Sequence, residues 1–310
     1  MPSQDAAVEG AMAGQRLEGR RVLVTGASAG IGAATARAIV VAGGRVALVA
    51  RSRDRLEDLA GELRELAVAR TAEGGGPRGR GTPWNPEDAV GAPGRTTPGV
   101  AGDLAGADAP VAVVVDADVV DADAARAAVD RAAEQLGGLD AVVNAAGIAR
   151  PGPVATTPPA DWQLMLDVNV RGLLHVTQAA LPHLTAAVER DDRGVLTWAG
   201  DVVNVSSMSG RRVGSPAMGV YAASKAAVHA LSGALRSEVG EDGIRVSVIA
   251  PGFVRTGIFE GQDTEAARTL GAKGEEVGLA PEQVADRITE VLAAPPGLVH
   301  VEVAMVSVDQ

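Results

Sequence analysis

Apolar and polar positions fall into two alternating regimes along the chain. Short runs in which nearly every position is apolar predict buried strands: RRVLVTG (20–26), RVALVAR (45–51), VAVVVDAD (111–118), LDAVVNAAG (139–147), GDVVNVSS (200–207), IRVSVIAPG (244–252) and LVHVEVAMVSV (298–308). The longer segments between them have helical spacing: IGAATARAIVVAGG (31–44), SRDRLEDLAGELRELAVAR (52–70), DAARAAVDRAAEQLG (123–137), ADWQLMLDVNVRGLLHVTQAALPHLTAAVE (160–189), YAASKAAVHALSGALRSEV (221–239) and PEQVADRITEVLAA (281–294). Strands apolar along their whole length, each followed by a helix, predict an α/β fold: one doubly wound parallel sheet with helices on both faces.

The pattern fails in two places. Residues 1–18 are small and polar and read as a disordered tail, so the domain is expected to span 19–310. Residues 71–110 are rich in Gly and Pro with no usable period and read as a disordered insertion. In a doubly wound sheet, ligands bind at the carboxyl ends of the strands. This insertion, and the polar break ERDDRGVLTWAG (189–200), leave from the opposite end, so both read as spacers. Trp84 and Trp198, inside them, read as local packing anchors.

Composition narrows the function. Hydrophobic residues make up 46% of the 310, enough for a sizeable core, yet only 2% are aromatic. The net charge of −11 opposes nucleic-acid binding, which needs a basic face, and speaks against an anionic membrane surface. With no cysteine, disulfides and thiolate chemistry are excluded, and four scattered histidines (His175, His183, His229, His300) give no metal-ligand spacing. No signal peptide and no membrane-length apolar stretch is found, so a cytoplasmic location is expected.

TGASAGIG (25–32) joins the first strand to the first helix. Gly26, Gly30 and Gly32 stand where the backbone must turn and a phosphate must come close, and the helix N-terminus offers free N–H groups to a pyrophosphate. The spacing is G-x-x-x-G-x-G, so a tight turn without a ligand is the alternative. At the end of the second strand, Arg51 and Ser52 suit a 2′-phosphate, and no acid stands between Val46 and Arg53 to repel one. This favours NADP(H) over NAD(H), although Arg51 reads equally as a solvated charge.

Tyr221, the only tyrosine, stands four residues before Lys225 and so on one helix face with it. An ammonium beside a phenol lowers the phenol's pKa toward neutrality and makes it a plausible proton donor and acceptor. The spacing alone fits an ordinary surface pair as well.

TGASAGIG, NAAG, VNV, NVSS, YAASK and APGFVRT occur in this order. Together they resemble the short-chain dehydrogenase/reductase family in its compact form, over about residues 19–310 without the 71–110 insertion. The C-terminal region resembles the NADP-dependent branch with 3-hydroxy acid and clavulaldehyde-type reductases. The resemblance implies that Tyr221 is the general acid/base and that Lys225 tunes it and holds the nicotinamide ribose. It implies that Ser207 bonds the substrate oxygen and that Asn169 holds a water leading protons to Lys225. Ser28 and the backbone at Ile31 would lie near the cofactor phosphates. Asp118 and Val119 would flank the adenine, and Asn144, Ala145, Ala146 and Gly147 would line the cofactor's middle. Pro251, Gly252, Val254 and Thr256 would border it, with Thr256 on the carboxamide or a phosphate. The chain departs from the family in reading NAAG for NNAG. It also lacks a basic residue at Ala29 and spaces serine and tyrosine fourteen apart, which leaves Ser206 and Ser209 open as alternatives to Ser207.

The implied activity is reduction of a small ketone or aldehyde, or the reverse oxidation of an alcohol. A dinucleotide-binding regulator or sensor of the same fold is the alternative. A homodimer or homotetramer is implied as well, built on Ala-rich helices such as 169–188 and 221–239. The segment 257–278 reads as a mobile lid over the substrate. Arg150, Arg211 and Arg212 are candidates for an acidic substrate group or are solvated, and Phe253 and Phe259 line the pocket or pack the lid.

Overall fold

The computed structural model describes residues 17–72 and 110–310. In chain order the elements are β1 (Arg21–Thr25), α1 (Gly30–Val41), β2 (Arg45–Ala50), α2 (Arg53–Ala72), β3 (Ala112–Asp116), α3 (Ala122–Leu136), β4 (Ala141–Asn144) and α4 (Pro159–Leu166). A π-helical turn (Asp167–Gly172) leads into α5 (Leu173–Ala187). There follow β5 (Glu189–Arg190), β6 (Leu196–Trp198), β7 (Gly200–Val205), α6 (Gly219–Val239), β8 (Ile244–Pro251), α7 (Glu265–Val277), α8 (Pro281–Leu292) and β9 (Glu302–Met305).

Among the described residues, seven strands form one parallel sheet in the order β3-β2-β1-β4-β7-β8-β9. β1, β4, β7 and β8 are buried at nearly every position, as strands covered on both faces must be. One face packs against α1, α2 and α8 through Ile39, Leu56, Leu63 and Ile288. The other packs against α3 and α5 through Leu136, Val176 and Leu184. Chain order reverses between β1 and β4, whose carboxyl ends therefore feed loops that part from each other and open a crevice.

The edges of the expected elements shift where long-range contacts intervene. Leu17 and Glu18, expected in the tail, belong to the fold: Leu17 is fully buried, its N–H donates to Ala42 O, and Glu18 pairs with Arg70. Residues 71 and 72 continue α2. The remainder of the tail and of the 71–110 insertion, with Trp84, lies outside the described residues. The last strand is confined to four residues, because only these pair with β8. The break at 189–200 contains the antiparallel β5–β6 hairpin.

Trp198 in that hairpin is more than a local anchor. Its Nε1 donates to Asp140 at 3.1 Å, and the Arg20 guanidinium lies 4.8 Å from its ring centroid. It caps a buried ion network at the amino ends of the strands. Arg21 bonds Asp140 through its N–H, Nε and Nη2, each at 2.8 Å. Asp201 receives Arg245 Nε and Nη2 at 2.8 Å and also Arg20. A buried guanidinium without its carboxylate is costly. Asp201→Asn, which leaves Arg20 and Arg245 short of a counter-charge, is expected to destabilise the fold by about 3 kcal/mol in urea unfolding. Among the described residues no helix is long and apolar enough to cross a membrane.

Candidate active site

At the carboxyl end of the sheet, the turn after β1 is held by glycines for reasons internal to the protein. Gly26 has φ +66°, and a Cβ there would stand 2.8 Å from the Ala146 backbone. A Cβ on Gly32 would reach 2.3 Å from Gly26 O. These two glycines let the loop close tightly onto the backbone after β4 and onto itself. Gly30 is the one that faces Thr256, at φ +53°, where an added Cβ would stand 3.0 Å from the Thr256 methyl. The next helix, α1, begins with no side-chain cap and no acid in its first turn, so the N–H groups from Gly30 to Gly32 remain available to an anion beside Ser28 and Ile31.

At the end of β2, Arg51 is exposed and has no hydrogen-bond or ion-pair partner among the described residues. Its neighbours are engaged: Arg53 with Glu57 and Asp116, Arg37 with Glu62. Arg55, which sequence reasoning passed over, donates from Nη2 to Ser52 Oγ at 2.9 Å. Its place one turn after Ser52 on α2 was the available signal. Asp118, after β3, is exposed and accepts from Val120 N–H at 3.0 Å. Val119 is buried against Gly172, with its carbonyl 3.0 Å from His175 Nδ1.

The turn after β4 divides its residues. Asn144, expected to line the crevice, points into the sheet: its Nδ2 donates to Thr177 Oγ1 at 3.0 Å and Asn204 Oδ1 at 2.9 Å. A side chain at this strand position faces α5 and cannot turn outward. Ala145, Ala146 and Gly147 are the residues that border the crevice, held there by Thr25 Oγ1, which accepts from both alanine N–H groups at 3.1 Å. The threonine of TG thus serves a purpose that its motif alone did not disclose. Pro251 is buried at the end of β8, and the half-buried Gly252 donates its N–H to Met305 O at 2.8 Å. Val254 bridges to Leu279, which leaves Thr256 as the member of this segment above the glycine loop.

Ser207, Tyr221, Lys225 and Asn169 converge. Ser207 ends the run after β7; its hydroxyl donates to Pro251 O at 3.4 Å and lies beside the Tyr221 phenol, whose pKa it lowers. Of the alternatives, Ser206 Oγ is turned to Lys225 O, to which it donates at 2.9 Å, and Ser209 donates its backbone N–H to Ser207 Oγ at 3.1 Å. The extra residue between serine and tyrosine is absorbed by two 3-10 turns, Met208–Gly210 and Pro216–Met218. On α6, Lys225 Nζ donates to Val205 O at 2.9 Å and lies 5.9 Å from the Tyr221 ring centroid. Asn169 sits in the π turn. Its Nδ2 donates to Ile148 O and Ser224 Oγ at 2.9 and 3.0 Å, and its Oδ1 accepts from Ile148 N–H at 2.8 Å. The side chain therefore fastens the segment after β4 to α6. Gly147 lies beside both: a Cβ there would stand 3.3 Å from Asn169 Oδ1 and 3.3 Å from Lys225 Nζ.

The electrostatics reverse the sequence expectation. Burial pushes the Tyr221 phenol up to about 12, with the Ser207 hydrogen bond pulling the other way. The same burial pushes Lys225 down to about 8. Both groups lose water around their charged forms, and that loss outweighs any pull of the ammonium on the phenol. At neutral pH the site therefore holds a protonated phenol ready to donate.

Above Tyr221, the segment expected as a mobile lid contains a helix, α7, capped by Thr264 Oγ1, which accepts from Ala267 N–H at 3.1 Å. Gln262 fastens it across the site by donating from Nε2 to Ala149 O at 3.0 Å. A cavity of about 360 Å³ lies under α7, lined by Thr256, Phe259, Gln262 and Arg268.

With this geometry in hand, comparison with known proteins is informative. The model of the short chain dehydrogenase family matches residues 20–73 and 98–294. An uncharacterized oxidoreductase of Staphylococcus haemolyticus is 30% identical over 94% of this chain and 97% of its own length. Dehydrogenase/reductase SDR family member 11 of Gallus gallus is 32% identical over 93% and 95%. Among solved structures, a short chain dehydrogenase from Burkholderia cenocepacia in complex with NADP superposes with a TM-score of 0.68 at 28% identity, covering 94% of this chain and 98% of that one.

Proposed function

The chain belongs to the short chain dehydrogenase family of oxidoreductases, and from that premise we propose that it is an NADPH-dependent carbonyl reductase in which Tyr221 is the proton donor. The observation that carries the reading is the buried Tyr221 phenol, held in its protonated form, with Ser207 beside it and Lys225 one turn along the same helix. The residues present fit a phosphorylated dinucleotide. The uncapped start of α1 suits the pyrophosphate, Ala145 to Gly147 and Thr256 border its path, and Arg51, Ser52 and Arg55 surround the place for a 2′-phosphate. The Burkholderia relative binds NADP, which supports the same choice here.

When bound, the reduced dinucleotide supplies a hydride to the carbonyl carbon. Ser207 and Tyr221 hold the carbonyl oxygen between two hydroxyl donors and stabilise the charge that grows on it. Tyr221 gives its proton to that oxygen, so one hydride and one proton turn the carbonyl into an alcohol. Lys225, beside Gly147, supplies a positive charge behind the phenolate left on Tyr221 until solvent restores the proton.

Steady-state oxidation of NADPH with a panel of carbonyl compounds tests the reading. No turnover alongside tight nucleotide binding would convert the protein into a binding protein, and no binding would remove the dinucleotide site altogether. Arg51→Ala is expected to raise KM for NADPH by about 10- to 100-fold, the loss of one charge-assisted phosphate contact, while KM for NADH changes little.

A further inference from the structure

We infer that the substrate is a neutral, bulky and apolar carbonyl compound, with aryl ketones the best class. The inference rests on Tyr221 as the reducing site's proton donor. The chain has six aromatic residues in all. Four of them, Trp162, Tyr221, Phe253 and Phe259, pack into a single cluster with Met165 and Met218. The two large apolar layers on either side of the sheet contain no aromatic residue among the described residues and are built from Ala, Val, Leu and Ile. Aromatic side chains are therefore not what this fold uses to fill space. They are gathered around the one phenol that does chemistry, and Trp162, Phe253 and Phe259 remain partly exposed there. Flat rings and thioethers present faces and edges that favour another aromatic ring.

The cations near the cluster are held in different ways, and Arg212 is exposed with no side-chain partner among the described residues. Arg211 is bound to Glu302 at 2.5 Å. Arg150 donates from Nη1 to Ala149 O, with Nε 4.0 Å from Asp161. The Lys273 ammonium lies 5.6 Å from the Phe253 ring centroid, and Arg268 donates to Asp263 O. A substrate carboxylate would have to be desolvated beside rings, in a cavity that Glu260 and Glu275 also line. This runs against the hydroxy-acid branch suggested by the C-terminal sequence. Access requires Gln262 to release Ala149 O and the Phe259 and Leu270 side of the lid to lift, which bares apolar surface. A ligand that covers that surface again closes the lid; a small or charged one does not.

The test uses the full chain with NADPH and three pairs of probes. 1-Phenyl-1,2-propanedione is compared with 2,3-butanedione, acetophenone with acetone, and methyl benzoylformate with benzoylformate. The aryl member of the first two pairs is expected to have kcat/KM at least ~10-fold higher, and the ester to exceed the acid by about 100-fold. Phe259→Ala and Trp162→Ala should bring the aryl-to-alkyl ratio down toward one, a change that simple loss of stability does not produce. Calorimetric binding of acetophenone in the presence of NADP+ gives a readout independent of turnover. Ratios near one in the parent protein, or a preference for benzoylformate, overturn the inference and leave the reductase reading intact. Acetophenone binding without turnover of any probe overturns the reductase reading and leaves the apolar site standing. Neither binding nor turnover removes both.

Discussion

Tyr221→Phe is expected to lower kcat/KM for carbonyl reduction by about 10³-fold while leaving NADPH affinity within a few-fold. The variant keeps the ring, so packing against Met165 and Met218 survives and only the proton is lost. Ser207 still offers one donor to the carbonyl oxygen, which is why the loss is finite. The pH profile carries the same assignment. A phenol pushed up to about 12 by burial stays protonated through the neutral and mildly alkaline range, so reduction does not fall as this group titrates. The reverse oxidation of an alcohol needs the phenolate, so its rate should climb about tenfold per pH unit up to about pH 8, above which loss of the Lys225 charge opposes the climb. Stopped-time assays in both directions, with nucleotide binding followed by fluorescence, check all of this. A variant that keeps a tenth of the parent's reduction rate removes Tyr221 from the chemistry.

Much of this was legible in the sequence because it depends on local pattern. Strands apolar at nearly every position must be covered on both faces, and their alternation with helices leaves little freedom in the architecture. The order of motifs along the chain then brought Ser207, Tyr221, Lys225 and Asn169 to one end of the sheet. What escaped depends on direction and on distance along the chain. Asn144 belongs to a motif that borders the crevice, but its strand position turns the amide toward Thr177. Arg20 and Asp201 are 181 residues apart, so no window could pair them. The helix Glu265–Val277 was obscured by Gly271 and Gly274, poor helix formers. Gly274 packs near the Phe253 ring, where a Cβ would stand 3.6 Å from it. The direction of the Tyr221 shift follows from burial, and the i, i+4 spacing with Lys225 contains no information about burial.

Lys225→Met should produce a protein that is more stable and nearly inactive. In the fold Lys225 is 5% exposed, and burial pushes its pKa from 10.5 down to about 8. The sign follows from proton counts. Between about pH 8 and 10.5 the unfolded chain binds the proton and the folded one has released it, so parental stability rises across that window. Below about 8 both states carry the charge, and the fold bears the full cost of burying it, about 3 kcal/mol at pH 7. The bond from Nζ to Val205 O returns about 1 kcal/mol of that. Methionine fills the same volume without charge, so the variant should gain about 2 kcal/mol at pH 7 and lose the pH 8–10.5 rise. Tyr221 acts in the opposite sense and at higher pH: its folded pKa of about 12 exceeds the ordinary 10.0, so it removes stability only as pH rises beyond about 10. Carbonyl reduction should fall by about 100-fold or more, because no positive charge then stands behind the phenolate. Thermal melts at pH 7 and pH 9.5 separate the alternatives. A variant that melts lower than the parent at pH 7 would make Lys225 a structural residue, whereas a rise at pH 7 that shrinks by pH 9.5 shows a fold that carries a destabilising charge at the point where its chemistry needs one.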